Sequence, residues 1–250
     1  MHFYGETPAF VLLGGLVPQL LCAAATMPHA GTTDIDVQVD LEIASDSAGA
    51  RRLEVALRDA GFEPEGEVWR WQTTTSHGTT AVVKFELLAD QEDRPADRVI
   101  TFLSCEALGA ANIRGTGYAA RDVREMQLSA DADGVPRTVT IRVTGLAGFL
   151  LAKVGAAKSR SKPRDWYDIA YVLLHNDERL DGAEAVRIAF GPVPQVRTAL
   201  LDLRANFDDE TCQGTRAYVD QVTLDDPELD PVQAGADAML AVRAFCASLL

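Results

Sequence analysis

The stretch Asp34-Ile35-Asp36-Val37-Gln38-Val39-Asp40-Leu41-Glu42-Ile43 alternates polar and apolar residues without a break. A period of two is that of a β-strand, because successive side chains leave opposite faces, so Ile35, Val37, Val39, Leu41 and Ile43 are expected to face a core. The other face collects Asp34, Asp36, Asp40 and Glu42, and like charges on one face repel unless water screens them or a cation gathers them. A half-solvated outer face accounts for the pattern on its own. Asp34 and Asp36, two positions apart and pointing the same way, are also the pair a hard metal ion would use.

Around this strand lies a chain of 250 residues, 47% hydrophobic, long enough for one sizeable core or a core with a smaller helical subdomain. Its net charge of −14 argues against a surface that tracks nucleic acid throughout, while leaving room for a local basic cleft. Cys22, Cys105, Cys212 and Cys246 show no close paired spacing, so neither a zinc site nor a disulfide framework is indicated and a reducing cytoplasm suits them. The apolar stretch from Pro8 to Met27 follows Glu6 with no Lys or Arg before it, and Gly14, Gly15, Pro18 and Gln19 interrupt it. It reads as buried structure of a cytoplasmic protein, not as a signal peptide or membrane span.

Upstream of the acidic strand, Ala9-Phe10-Val11-Leu12-Leu13 is a short apolar strand ended by Gly14-Gly15, and a helical pattern runs from Leu16 to about Ala25 with Pro18 in its first turn. Strand, Gly-Gly turn, then helix presents free backbone N–H groups as phosphate sites do, although a plain tight turn also uses such a pair. Downstream, an amphipathic helix is predicted from about Asp46 to Ala60, stopped by Gly61. Strands follow at Glu67 to Thr73 and Thr80 to Leu88, joined around His77-Gly78. Glu86 sits inside the second, where a carboxylate needs a cationic partner, for which a metal or Lys84 are the candidates. After a charged loop from Asp90 to Asp97, strands are expected at Val99 to Leu103, Glu125 to Ser129 and Thr138 to Val143, the last two split by the turn Asp131 to Pro136. The Gly- and Ala-rich stretch Gly109 to Gly117 supports no assignment.

Near Thr144 the texture changes, which predicts an α/β domain over 1–144 and a helical domain over 145–250. The helix from Leu146 to about Lys158 repeats apolar residues at Leu146, Phe149, Leu150, Val154 and Ala157, and Lys153 falls on the same stripe. A lysine there pairs with an acid or faces a cleft. The run Lys153, Lys158, Arg160, Lys162 and Arg164 contains no acid, so it is a solvated face or a phosphate-contacting one. Asp165 and Asp168 open the next helix; Asp165 is explained by the helix dipole, whereas Asp168 lies beside the apolar stripe. Helices then read at Ala183 to Phe190, Val196 to Asn206 and Pro231 to Leu250, with Asp220 to Asp230 as an acidic linker or loop.

Gly14-Gly15, then Thr32-Thr33-Asp34-Ile35-Asp36-Val37, then Phe85-Glu86-Leu87-Leu88, resembles the nucleotidyltransferase superfamily of the DNA polymerase β type. Phe149-Leu150-Leu151-Ala152-Lys153, with Lys158-Ser159-Arg160-Ser161-Lys162-Pro163-Arg164-Asp165-Trp166-Tyr167-Asp168-Ile169, narrows the likeness to AbiEii/AbiGii-type nucleotidyltransferase toxins. The resemblance implies an α+β fold, a polymerase β-like mixed sheet with flanking helices followed by a helical part. It implies that Asp34, Asp36 and Glu86 hold Mg²⁺, that Gly14 and Gly15 with Thr33 cradle the nucleoside triphosphate, and that Lys153, with Lys158 and Arg164, meets phosphate. Asp168 or Asp165 would complete the site. The chain departs from the family's pattern in having Ala30 where many relatives carry an arginine, and glutamate at position 86 where aspartate is commoner.

The implied activity is transfer of a nucleotidyl group from an NTP to an acceptor hydroxyl, as the toxin of a toxin–antitoxin pair acting on RNA, tRNA included, with a cognate antitoxin protein as partner and no membrane. Two alternatives stand beside it. Nucleotidylation of a small cationic molecule such as an aminoglycoside suits the acidic surface, and a non-catalytic nucleotide-binding or antitoxin-binding module would retain the fold alone.

Overall fold

The computed structural model describes residues 4–5, 8–40, 47–75, 80–132, 135–177 and 181–250. In chain order its elements are β1 (Val11–Leu13), a 3-10 turn (Gly14–Leu16), α1 (Val17–Leu21), β2 (Asp34–Gln38), α2 (Ser47–Asp59), β3 (Glu63–Glu65), β4 (Glu67–Thr75), β5 (Ala81–Ala89), β6 (Val99–Thr101), β7 (Gly109–Asn112), α3 (Gly117–Arg121), β8 (Val123–Ala132) and β9 (Val135–Thr144). Then follow α4 (Leu146–Arg160), α5 (Pro163–His175), α6 (Gly182–Phe190), a 3-10 turn (Pro194–Val196), α7 (Arg197–Ala205), α8 (Gln213–Asp225) and α9 (Pro231–Leu249). The architecture is α+β, a mixed open sheet with helices. It divides into two compact units, Met1–Leu16 with Thr32–Gly145, and Val17–Gly31 with Leu146–Leu250.

In the first unit the sheet runs β3-β4-β5-β2-β1-β9-β8, with β7 joined to β5 and β6. β1 and β2 are antiparallel, whereas β2 and β5 are parallel, as are β1 and β9. Val37 of β2, beside Leu87 of β5 and Leu12 of β1, and Val39 just beyond the strand are buried as the alternation specifies, and Gln38 on the opposite face is buried as well. Burying each such apolar side chain is worth about 1.5–3 kcal/mol, which fixes the register, since a one-residue slip would put the apolar residues on the acidic face.

β2 ends at Gln38, earlier than the alternation suggests; Leu41, Glu42 and Ile43 lie outside the described residues. Asp40 has left the strand, its carboxylate accepting from the Gln38 side chain at 2.7 Å and from the Asp90 backbone at 3.1 Å. The start of the next helix at Asp46, the join at His77-Gly78 and the middle of the turn between β8 and β9 also fall outside the described residues. The helix expected over Leu16 to Ala25 is confined to Val17–Leu21. Beyond it the Ala23 and Ala24 N–H groups donate to the Asp177 carboxylate at 3.0 and 2.9 Å instead of continuing the helical ladder. β7 occupies the Gly- and Ala-rich stretch because its strand comes very close to β6. A side chain at Gly109 would meet the Ile100 carbonyl oxygen at 2.6 Å and Val68 at 2.7 Å.

In the second unit α4 buries Leu146, Phe149, Leu150, Val154 and Ala157, and α5 buries Trp166, Ile169, Ala170 and Val172. The acidic stretch assigned to a linker is helical as far as Asp225. Thr215, Tyr218 and Val222 recur at helical spacing on the buried side of α8, leaving Asp220 and Asp225 on the outer side. No helix among the described residues is long and apolar enough to cross a membrane.

Candidate functional site

The candidate residues of the first unit lie on three neighbouring strands or directly beside them. Leu13 of β1 is paired with Asp36 of β2, which brings Gly14, the next residue, against the aspartate. On the other side Asp36 is paired with Glu86 of β5, and Asp34 with Lys84. Asp34, Asp36, Lys84 and Glu86 therefore belong to one sheet face, because alternate residues and register partners point the same way. Gly14 has a positive φ of 78°, and a β-carbon there would overlap the Asp36 carboxylate, with Cγ at 2.7 Å and Cβ at 2.8 Å. Gly15 is buried in the 3-10 turn, and the carbonyl of the exposed Thr33 accepts from the Lys84 N–H at 3.2 Å.

Glu86 does not rely on Lys84. Its carboxylate accepts from Arg70 Nε on β4 at 2.7 Å, and the Arg70 guanidinium lies 4.4 Å over the Trp69 ring, while Lys84 pairs with Glu65 at 3.0 Å. The sequence identified the need for a cation but not its source, because Arg70 is set opposite Glu86 only by the antiparallel register of β4 and β5. Asp34 and Asp36 supply the hard oxygen donors that Mg²⁺ favours. The third carboxylate stands at the right register but is bound to Arg70, and among the described residues no group of three His, Cys, Asp or Glu forms a ready-made cation cage.

The second unit contains a buried ionic cluster. Lys153, carried inward by the apolar stripe of α4, is only 6% exposed. Its ammonium lies 3.0 Å from Asp165 and 2.6 Å from Asp168. Pro163 at the first position of α5 and Asp165 in its first turn are favoured helix-start residues. Asp168, three residues on, is completely buried. Arg160 grips Asp165 with two parallel bonds of 2.6 and 2.7 Å, the fork geometry in which guanidinium–carboxylate pairs are strongest. Burial alone would lower the Lys153 pKa, but the charges of Asp168 and Asp165 outweigh it and hold the ammonium above its ordinary value. Burial pushes the Asp165 carboxyl up, yet the Arg160 bonds and the Lys153 charge hold it below the usual range.

One residue of this cluster had no sequence signal of its own. His29 lies 2.9 Å from Asp168 through Nε2 and stacks on Tyr167 at 5.0 Å. The rest of its segment is held by the same face of α5: the Tyr171 hydroxyl donates to the Met27 carbonyl at 2.5 Å, the Ala30 N–H donates to Tyr167 at 3.1 Å, and Arg164 donates to the Gly31 carbonyl. Positions 164, 167, 168 and 171 follow helical spacing, so polar groups recurring along an otherwise apolar helix were the available clue. The basic run is largely matched within the unit, with Lys158 3.3 Å from Asp202 and Arg160 on Asp165.

Gly14, Gly15, Thr33, Asp34, Asp36 and Glu86 are thus in the first unit, and Lys153, Lys158, Arg164, Asp165 and Asp168 in the second. What the fold and these residues define is an α+β protein with an acidic strand pair beside a Gly-Gly turn. No family model matches the chain, and neither the curated proteins nor the solved structures contain a match.

Proposed function

We propose that the chain is a polymerase β-like nucleotidyltransferase that moves NMP from an NTP to an acceptor hydroxyl, as a toxin acting on RNA or tRNA and restrained by an antitoxin protein. The observation that carries this reading is the contact between the bare backbone of Gly14 and the Asp36 carboxylate, with Glu86 at the register of Asp36 on the parallel neighbour. A turn that tolerates no side chain, directly beside paired carboxylates, suits a backbone that must approach triphosphate oxygens while the acids gather a cation. Asp34 and Asp36 are the residues that would hold Mg²⁺, with Glu86 joining them when Arg70 is exchanged for the metal. Bound there, Mg²⁺ would neutralise charge on the attacked phosphate and leaving pyrophosphate and activate the acceptor hydroxyl. Lys153 enters as a buried counter-ion that orders Asp165 and Asp168, since those carboxylates already take its charge.

Incubation with Mg²⁺, each labelled NTP and total tRNA tests the proposal. Label transfer is expected, with a loss of at least about a hundredfold in Asp36→Ala, the scale of removing one electrostatic group from a transfer site. No transfer, with Asp36→Ala indistinguishable from the parent, removes it. The Arg70–Glu86 pair favours a second reading, a nucleotide-binding module without catalysis, because the third carboxylate is already neutralised. Calorimetry showing NTP binding with no need for a divalent ion selects that reading.

A further inference from the structure

The last helix of the chain is apolar on two sides. α9 buries Ala234, Ala238, Val242, Phe245 and Cys246 within its own unit. Its outward positions Val232, Ala236, Leu240, Ala244 and Ala247 are again apolar, with Val232 74% and Leu240 72% exposed. Gln233, Asp237, Arg243 and Ser248 are exposed beside them, so the outer side carries an apolar stripe bordered by polar groups, the pattern of a helix that meets another apolar surface. Against α7 this outward face forms a groove of about 510 Å³, lined by Arg204, Ala236, Met239, Leu240, Arg243 and the small residues Ala244 and Ala247. The alanines let a backbone come close, Leu240 and Met239 supply apolar anchors, and Met adapts readily to different partners. The lining has no acidic residue, in a chain whose net charge is −14. Arg204 and Arg243 are both exposed; among the described residues Arg243 forms a loose pair with Asp208 at 3.7 Å.

We propose that this groove is a docking site for an amphipathic helix of another protein, one whose leucine-rich stripe is flanked by Asp or Glu. Laying an apolar helix face into such a groove is a recurring mode of recognition, and its acids would meet Arg204 and Arg243. A second copy of this chain is the wrong occupant. Two-fold pairing of this face with itself brings together two bodies of net charge −14.

Panning a phage-displayed library of amphipathic helices on the full chain tests this, with the best clone then made as a labelled peptide for fluorescence anisotropy. Enriched clones are expected to carry Asp or Glu beside their leucines. Leu240→Glu is expected to weaken the peptide at least tenfold. The double change Arg204→Glu with Arg243→Glu is expected to weaken it by a similar factor, more at low salt than at high. All three positions are exposed, and circular dichroism checks that the variants fold. The proposal is overturned by absence of enrichment, by enriched clones without acidic bias, or by a peptide indifferent to either variant. Sedimentation showing a dimer that Leu240→Glu dissociates overturns it as well and gives the face to a second copy.

Discussion

The Asp36 carboxylate occupies the space that a β-carbon on Gly14 would need, at a backbone position whose φ is 78°. Two penalties therefore meet in Gly14→Ala, the left-handed conformation and the collision. The first is worth about 1–2 kcal/mol, and the collision adds to it unless the aspartate is displaced. Urea unfolding should show a loss of about 2–3 kcal/mol. In an Asp36→Gly background the same substitution should cost only the conformational share, so the double-mutant cycle isolates the contact. Additive costs would mean the two residues do not collide.

Lys153 is the only cation that touches both Asp165 and Asp168 among the ion pairs of the described residues. Replacing it by Met keeps the apolar stem and leaves Asp168, among the described residues, with His29 as its charged or polar side-chain partner, and breaking a buried pair in this way costs about 3–5 kcal/mol. The comparison is Lys158→Met, which removes a half-exposed pair with Asp202 and should change stability by under about 1 kcal/mol. Equal unfolding midpoints for the two variants would show that the Lys153 cluster is not held as described.

How much of this was readable follows from the range of each cause. The strand at Asp34 was legible because a buried face imposes its period locally, and α4, α5 and α9 because their apolar stripes do the same. The end of β2 was not, since it depends on Asp90, fifty residues away, donating to Asp40. Gly14, Asp36 and Glu86 were each visible, but Arg70 as the partner of Glu86 required the β4–β5 register. Likewise Lys153 announced that it needed an acid, whereas the place of His29 on Asp168, 139 residues apart, is a product of tertiary packing alone.

The tautomer of His29 follows from its neighbours. The Gly31 N–H donates to Nδ1 at 3.2 Å, so Nδ1 keeps its lone pair, and Nε2 must carry the hydrogen given to Asp168 at 2.9 Å. Long-range ¹⁵N–¹H correlation spectra should show a ring protonated at Nε2. A resonance pattern with hydrogen on Nδ1 would contradict the hydrogen bond from Gly31. His29→Phe fits the stack with Tyr167 and Tyr171 but leaves Asp168 short of a donor, and should destabilise by about 1–3 kcal/mol.

The same cluster contributes at both ends of the pH profile, and at the alkaline end it is joined by the Cys22 and Cys246 thiols, which burial pushes up to about 12, and by the buried phenols of Tyr167, Tyr171 and Tyr218, which burial also raises. Asp165 has a native pKa below its unfolded one, because the Arg160 bonds and the Lys153 charge overcome the opposing effect of burial. Between the two values the unfolded chain binds more protons, so this contribution is complete above the ordinary carboxylate range and is lost as pH falls through the native value. Lys153 works in the other sense. Its native pKa is raised despite burial, by Asp168 and Asp165, so its contribution is complete below the ordinary ammonium range and is lost as pH rises through the native value. Urea midpoints measured against pH should therefore fall at both extremes. Asp165→Asn should make the acid limb shallower, and Lys153→Met should remove the lysine share of the alkaline limb while leaving the share of the buried thiols and phenols, each at a lower plateau. An acid limb unchanged in Asp165→Asn would move the origin of acid sensitivity to other carboxylates and remove Asp165 as the clamp between α4 and α5.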